Sequence, residues 1–584
     1  FPLVDAKGLL PAGAEQANTY AVIWTTTPWT LPANVAICLN SELEYAWVKT
    51  GDEIYLLAVG LIERVMTDIK AESHTVLATC KGSDLEGIIF AHPFVQRQAP
   101  IILGEHVTLE QGTGCVHTAP GHGQEDFEIG AKYKLPVINP VDHTGTFTAE
   151  GGIFAGMLVH DANVPVIKEL AAKERLLGKG TLKHQYAHCW RCKSPIIYRA
   201  TNQWFASVDG FRAETLKAIE NVQWIPTWGE DRIRNMVADR KDWCISRQRV
   251  WGVPIPIFYC KDCNEYIVND TTITAVASLF AQEGSDSWWA KKAEEILPAG
   301  FTCPHCNGKS FTKETDIMDV WFDSGSSHAA VLETRPYLGW PAAMYLEGSD
   351  QHRGWFQSSL LTSVATRGRA PYDAVLTHGF VVDGDGRKMS KSLGNVIYPQ
   401  EVIKKYGADI LRLWVASADY KADIRISNDI LKQMSEVYRK IRNTFRYLLG
   451  NLADFNPQTD CVPYKELLES DRWALMRLEQ VRDKVTNAYD EYEFHTLYHT
   501  VHNFCTVDLS SIYLDILKDR LYTEKPQSVA RRSAQTAMHE ILSVLVRMVA
   551  PVLTFTAEEV WRYMPTGVER PLSVQLSDWP KPMP

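Results

Sequence analysis

The chain has 584 residues, a formal net charge of −10 at pH 7, and 45% hydrophobic and 22% charged side chains. That balance excludes a surface coated in basic charge for non-specific nucleic-acid binding, while leaving room for a local basic groove. No apolar run approaches the length of a membrane span and no secretory signal opens the chain, so a cytoplasmic protein of about three or four domains is expected.

Cysteine usage fits that expectation. Six of the twelve cysteines form three Cys-x-x-Cys pairs, while Cys38, Cys80, Cys115, Cys244, Cys461 and Cys505 stand alone. This pattern reads as metal binding in a reducing compartment and not as a disulfide framework. The sequence opens at Phe1 with no methionine and stops at Pro-Met-Pro, so an internal fragment of a longer protein is expected.

Residues 1–183 alternate short β-rich runs (20–24, 45–48, 54–59 and 101–103) with Gly/Pro turns, which predicts a strand-dominated domain. Two of its segments carry chemistry. WTTTPWTLPAN at 24–34 crowds Thr25, Thr26, Thr27 and Thr30 onto a proline-punctuated loop. GTGCVHTAPGHGQEDF at 112–127 joins glycines that allow close backbone approach to His117, His122, Glu125 and Asp126. Read as a pocket, the hydroxyls and amides would bind a ribose and an ester carbonyl, and Asp126 would hold an ammonium. No Ser-His-Asp set is evident, so water would attack. Read plainly, the threonines are β-formers and the glycine loop is a turn.

Residues 184–229 form a connecting segment with the knuckle His188-Cys189-Trp190-Arg191-Cys192. No second Cys-x-x-Cys precedes it. Either Cys189 and Cys192 are metal-free, or their partners lie in a segment outside this sequence. Cys260, Cys263, Cys303 and Cys306 supply two knuckles around a helical insertion and suit a tetrahedral four-thiolate zinc site of the ribbon kind. Their long gap keeps coincidence open.

Between 230 and 420, DWCISRQRVWG at 242–252 sets Arg247 and Arg249 among Trp243 and Trp251, fit for stacking and phosphate contacts or for a packed core. DVWFDSGSSH at 319–328 reads as an apolar strand ending in a glycine turn. YLEGSDQHRGW at 345–355 reads as a strand, a polar turn and a helix over 353–364. In an open α/β sheet that turn lies where ligands bind. A strand over 374–381 then feeds Lys388-Met389-Ser390-Lys391-Ser392, flanked by Gly384, Gly386 and Gly394. Two ammonium groups on a movable loop can close over a transferring phosphoryl group, or form a solvated basic turn.

From 421 to 584, Ile430, Leu431, Met434, Val437, Tyr438, Ile441, Phe445 and Leu448 recur at helical steps. Further stripes begin at Trp473 and Phe494 and run over 530–549. Thr556-Ala557-Glu558-Glu559 reads as a capping box. A helical bundle is predicted, with Arg439, Lys440, Arg442 and Arg446 forming a basic face that is either solvated or bound to RNA.

In this order, DWCISRQRVWG, DVWFDSG, YLEGSDQHRGWFQSSL and KMSKS resemble the second half of a class I aminoacyl-tRNA synthetase, with wording most similar to the isoleucine-specific family. WTTTPWTLPAN and GTGCVHTAPGHGQEDF match that family's editing domain. The resemblance implies an α/β multidomain fold. It comprises a β-rich editing domain (1–183), a connecting segment (184–229), the second half of a Rossmann-type nucleotide-binding fold (230–420) with a zinc-ribbon-like insertion at 258–312, and a helical anticodon-binding bundle (421–584). It further implies that Lys388 and Lys391 steady the ATP phosphates, and that Gly348, Asp350, Gln351 and His352 meet the nucleotide. Glu347 would hold the ammonium of isoleucine, with Trp321 and Trp355 walling its side chain. Thr25, Thr26, Thr27, His117 and Asp126 would hydrolyse mischarged valyl-tRNA(Ile). The implied cofactors are ATP as substrate, Mg2+ and Zn2+, and the implied partner of a monomer is tRNA(Ile). The family's His-Ile-Gly-His signature is absent from these residues, so this polypeptide alone is expected not to form the aminoacyl-adenylate. A silent tRNA-binding or stand-alone editing protein is the alternative class. Valine and leucine synthetases are disfavoured by the wording at 319–328 and 345–355.

Overall fold

A computed structural model of the chain describes residues 1–565 and 570–583, so 566–569 and Pro584 of the expected bundle lie outside it. The chain divides after Asn202 into two units, each described by itself.

The first unit holds two sheets. One runs in the order Leu3–Asp5, Ile89–Ala91, Gln98–Leu103, Ala36–Leu39, Val116–Thr118, and the other in the order Thr19–Ala21, Glu53–Ala58, Glu44–Thr50, Thr75–Lys81. Tyr45, Ala46, Trp47 and Val48 are consecutive and all buried, as a strand paired on both edges and covered on both faces requires. The strand expected over 20–24 ends at Ala21, and the carbonyl of Val22 instead accepts from the Thr113 hydroxyl. Most of the threonine-rich loop winds into a 3₁₀ turn, Pro28–Ala33, with proline at its first position. It buries Trp29 and Leu31 in the core.

In the second unit, a parallel sheet sets Ala374–His378 between Gln223–Ile225 and Tyr345–Gly348. The helices Trp228–Ala238 and Trp355–Arg367 follow the outer two strands, and Trp224, Ile233, Phe356, Leu360 and Val375 fill the space between. An insertion forms a three-stranded antiparallel sheet around Phe258–Cys260, with Trp288 packed beside it. The segment at 319–328 differs from the expected strand. Only Ile317–Met318 is extended, and Val320–Gly325 is helical. The reason is local: the Asp319 carboxylate accepts the Trp321 N–H at 3.2 Å and caps a helix start.

The bundle comprises Asn428–Gly450, Glu469–Asp490, Phe494–Asn503, Val529–Val549 and Thr554–Tyr563. Their apolar stripes form a shared core, although Met476 of the predicted stripe stays exposed. Phe494–Asn503 passes directly into a π-helix, Phe504–Tyr513, where the Ser510 and Ser511 hydroxyls donate to the carbonyls of Cys505 and Thr506. Beside it, the fully buried Asp471 takes both Arg520 nitrogens at 2.7 and 2.8 Å, the Tyr513 hydroxyl at 2.8 Å and the Ser533 hydroxyl at 2.6 Å. Four donors on one carboxylate meet the requirement that a buried charge be paired and hydrogen-bonded.

The expected capping box at 556–559 is not one, because the helix starts at Thr554 and Thr556 lies inside it. The cap comes from a different helix, Ala408–Ser417. The buried Asp409 carboxylate accepts from Phe555 N at 3.2 Å, Thr556 N at 2.7 Å and the Thr556 hydroxyl at 2.6 Å. Replacing Asp409 by alanine is expected to cost about 1–2 kcal/mol, with Asp409→Asn retaining part of it. Urea denaturation should show a lower midpoint at unchanged slope.

Candidate functional sites

The carboxyl ends of the parallel strands gather the polar groups of the second unit. Glu347 and His378 sit on neighbouring strands with Nε2 and Oε1 3.6 Å apart, and Glu347 also accepts from Gly348 N at 3.0 Å. A Cβ at Gly348 would meet Asp350 Oδ1 at 2.9 Å and the Phe380 ring at 3.2 Å, so a larger residue here would displace the Asp350 side chain. The following 3₁₀ turn, Ser349–Arg353, exposes Asp350 and turns Gln351 back, where its Oε1 accepts from Trp355 N at 2.9 Å. Trp355 stacks on Tyr345 at 4.0 Å, and its Nε1 donates to Ser324 O and Ser327 Oγ, both at 3.1 Å. Trp321 lies against Gly354, partly exposed. Glu347, Gly348, Asp350, Gln351, Trp321 and Trp355 therefore border one region.

His352 departs from its expected place among the nucleotide contacts. It is fully buried beside Trp224, Trp228 and Phe356, with Nδ1 3.2 Å from Ser349 O. Burial pushes its pKa down to about 4 and keeps it neutral. In the alternating polar string Ser-Asp-Gln-His-Arg, the face of the turn decides which side chain goes inward.

Sequence reading missed Asp319 as an anchor. Its Oδ2 accepts from Trp243 Nε1 at 3.0 Å and Arg247 at 2.8 Å, so these two flagged residues are committed to holding the chain. They line a cavity of about 350 Å³ with Arg240, Arg353 and Trp321. Burial and the Asp319 charge raise Asp323 to about 6. Arg249 and Trp251, flagged with them, project into solvent, Trp251 being 94% exposed.

Both Lys388 and Lys391 are exposed. The loop carrying them is not wholly free, since Ser390 N donates to Asn395 Oδ1 at 2.9 Å and Asn395 Nδ2 to Asp383 Oδ2 at 2.8 Å.

The thiols of Cys260, Cys263, Cys303 and Cys306 all lie within 4.8 Å of one another, with Cys260–Cys306 at 3.5 Å and Cys263–Cys303 at 3.8 Å. Zinc bonded to four sulfurs at about 2.3 Å separates them by about 3.8 Å, so the set fits that ion. Each knuckle closes on an asparagine in the left-handed region, Asn264 donating to Cys260 O and Asn307 to Cys303 O, both at 2.9 Å. The pair Cys189 and Cys192 builds the same turn, closed by Lys193 at φ 62° donating to Cys189 O at 2.8 Å. Among the described residues, Cys189 and Cys192 join no cluster of four.

In the first unit, the two threonine and histidine segments come together. His117 Nε2 is 3.0 Å from the Thr30 hydroxyl, which donates onward to Thr27 O at 2.9 Å, and Thr27 N donates to Thr25 Oγ1 at 3.0 Å. Asn34 Nδ2 lies 3.5 Å from His117 Nδ1. With an amide donor facing Nδ1, the proton belongs on Nε2. Burial lowers the His117 pKa, opposed by the nearby Asp126 charge. Asp126 Oδ2 accepts from Ala119 N at 2.9 Å. Thr26 lies between Thr25 and Thr27 and is exposed. His92 and Arg97 hold this segment from behind. His92 Nε2 meets Leu31 O at 2.8 Å, and Arg97 donates to Pro32 O and Asn34 O at 2.9 and 2.7 Å. On the bundle, Arg439, Lys440, Arg442 and Arg446 are all exposed, with Arg439 paired to Glu436 at 3.1 Å.

Comparison with known proteins matches residues 21–427 to the family of class I tRNA synthetases (I, L, M and V), and residues 471–584 to the anticodon-binding domain of tRNA ligases. The chain is 61% identical to the isoleucine–tRNA ligase of Moorella thermoacetica over 581 residues, covering 100% of this chain and 62% of that one. It is 59% identical to that of Caldicellulosiruptor saccharolyticus over 582 residues, covering 100% and 63%. It thus spans less than two thirds of these relatives' length. A solved Mycobacterium tuberculosis methionyl-tRNA synthetase in complex with methionyl-adenylate aligns at TM-score 0.47 and 16% identity, over 65% of this chain and 66% of the other.

Two measurements test this geometry. Zinc titration should load about one ion on the four-cysteine set, and a chelator or Cys303→Ser should unfold the insertion while the parallel sheet persists. Burial holds His92 down at about 4 and lowers His117 and His122 as well, against an ordinary 6.5. Below pH 6.5 the unfolded chain binds protons that the fold refuses. The first unit should therefore be most stable above that pH, with His92 alone costing it about 1.4 kcal/mol per unit as pH falls toward 4 and His117 and His122 acting in the same direction. In urea titrations, His92→Gln should flatten that slope by about one proton.

Proposed function

The chain belongs to the class I tRNA synthetases of the isoleucine, leucine, methionine and valine group, and on that footing we propose that it forms the proofreading, zinc-bearing and anticodon-binding parts of an isoleucine–tRNA ligase, together with the second half of its catalytic fold. The observation that carries this reading is that Glu347 ends one strand and the lysine loop lies downstream of its parallel neighbour. The strand Tyr345–Gly348 ends in a carboxylate suited to an ammonium, and its neighbour Ala374–His378 leads to two ammonium groups suited to phosphate. An amino acid held at Glu347 has its carboxylate free to attack the α-phosphorus of ATP. The carboxylate oxygen bonds to phosphorus, the bond to the β-phosphate bridge breaks, and pyrophosphate leaves with the charge that Lys388 and Lys391 neutralise. Trp321 and Trp355 form apolar wall for the side chain. Asp350 and Gln351 take the ribose side, while His352 acts from beneath. When bound, Mg2+ supplies further charge neutralisation on the phosphates.

A single methylene gives a binding pocket little discrimination, which is the reason to proofread. The first unit suits ester hydrolysis of valyl-tRNA(Ile). With Asp126 Oδ2 engaged by Ala119, Oδ1 can receive the substrate's ammonium. Neutral His117 and the Thr30–Thr27–Thr25 chain order hydroxyls around the ester, and water attacks its carbonyl carbon as the ribose hydroxyl departs. The four-cysteine set is structural, because all four positions of a tetrahedral ion would be filled by thiolates. The exposed basic face at 439–446 suits the phosphates of a tRNA stem.

The polypeptide of residues 1–584 should deacylate valyl-tRNA(Ile), and Asp126→Ala should abolish that activity. Deacylation by the variant at the parent rate would overturn the proofreading assignment. In a protein of the relatives' full length, Lys388→Ala should slow ATP–pyrophosphate exchange by about a hundredfold or more. The 1–584 polypeptide contains no His-Ile-Gly-His and should not catalyse exchange by itself.

A further inference from the structure

The geometry points to Asp383 and Asn395 as the positioning pair that sets both lysines of the loop, an inference that rests on the phosphate-binding role proposed for Lys388 and Lys391. Neither residue was singled out by its sequence context. They stand twelve positions apart.

One side chain addresses the backbone on both sides of Met389. Asn395 Oδ1 accepts from Ser390 N at 2.9 Å, and Nδ2 reaches Lys388 O at 3.3 Å while donating to Asp383 Oδ2 at 2.8 Å. The amide has a single workable orientation here, because a peptide N–H can only donate and a carboxylate or carbonyl can only accept. Asp383 is 7% exposed and saturated with donors. Oδ1 takes Arg387 N at 2.8 Å and Asp385 N at 3.1 Å, and Oδ2 also takes Arg387 Nε at 3.1 Å. These donors, led by the Asn395 amide, hold its pKa down to about 2 and keep it charged. The brace is therefore charge-assisted and unchanged across physiological pH.

A peg complements the brace. Met389, between the two atoms that Asn395 holds, packs against the cluster of Val402, Trp414, Ile426 and Leu431. Ser390 Oγ accepts from Leu393 N at 3.3 Å and starts the turn Lys391–Leu393. With Met389 pegged into the protein and the adjacent peptide groups tied to Asn395, Lys388 and Lys391 are left on the exposed side. Their spacing is fixed by residues that touch no substrate. Charge placed in advance of the transition state costs no reorganisation during reaction, which is what such a brace supplies.

The test uses ATP–pyrophosphate exchange in the full-length enzyme together with amide hydrogen exchange across 388–391. Asn395→Ala and Asp383→Asn should each lower kcat by about tenfold or more, with the KM for isoleucine and the thermal midpoint unchanged. Amide exchange at Ser390 should rise in both. Asn395→Asp, which sets a carboxylate oxygen against Asp383 Oδ2 and the Lys388 carbonyl, should slow the reaction at least as much as Asn395→Ala. A purely structural role would move the midpoint instead of kcat. If Lys388→Ala is impaired while Asn395→Ala exchanges at the parent rate, or if Ser390 stays equally protected, the positioning role is wrong. If Lys388→Ala is itself unimpaired, the phosphate-binding reading falls, and this inference with it.

Discussion

A parallel strand satisfies its backbone only with a neighbour on each side, and Ala374–His378 has both, Tyr345–Gly348 and Gln223–Ile225. Residues 374–377 are buried on both faces, so this strand can neither slide nor tilt without emptying the core around Trp224 and Phe356. Its register places Glu347 opposite Thr377 and Gly348 opposite His378. The chain then leaves the sheet at Gly379, where a Cβ would sit 2.3 Å from the Ala422 backbone, and enters the lysine loop. The interstrand hydrogen bonds of this strand fix Glu347 and the point from which the chain departs toward the lysine loop.

Much of this organisation was legible in the sequence, because the signals were periodic or punctuated. The helical stripes at 430–448 and 530–549 became buried helix faces, and the polar turn after Tyr345 fell at a strand end as its glycines implied. The four cysteines converged despite their long separation, since each knuckle is a self-contained turn that needs only its own few residues. What escaped were features that depend on a partner far along the chain. Asp409 caps a helix nearly 150 residues later, so Thr556 looked like a cap when it was receiving one. Asp319 looked like part of a strand, yet its carboxylate starts a helix and anchors Trp243 and Arg247. His352 shares its composition with its exposed neighbours, and only the three-dimensional turn separates inward from outward.

The two units manage polar chemistry differently. In the first, the far end of the reactive segment is held from behind by His92 and Arg97 through the carbonyls of Leu31, Pro32 and Asn34, while the Thr25 and Thr30 hydroxyls brace the backbone at Thr27. In the second, side chains are held by side chains: Trp243 and Arg247 on Asp319, Asn395 on Asp383. The first arrangement fixes main-chain positions at residues 31–34 whatever side chains those positions carry. The second does not, because every member is both a holder and a held group.

The π-helix at Phe504–Tyr513 carries a constraint of a different sort. Its ladder runs from each carbonyl to the fifth residue along, and hydroxyls from Ser510 and Ser511 close on carbonyls five positions back. Removing a single residue from this stretch would relax the ladder to ordinary α-helical spacing and rotate one flank against the other by about 100°. Asp508 would swing away from Arg477, now 3.1 Å distant, and the Tyr513 hydroxyl would lose the buried Asp471. Substitutions at its exposed positions leave that register in place, whereas a change of length does not. This part of the bundle is defined by how many residues it contains as well as by which.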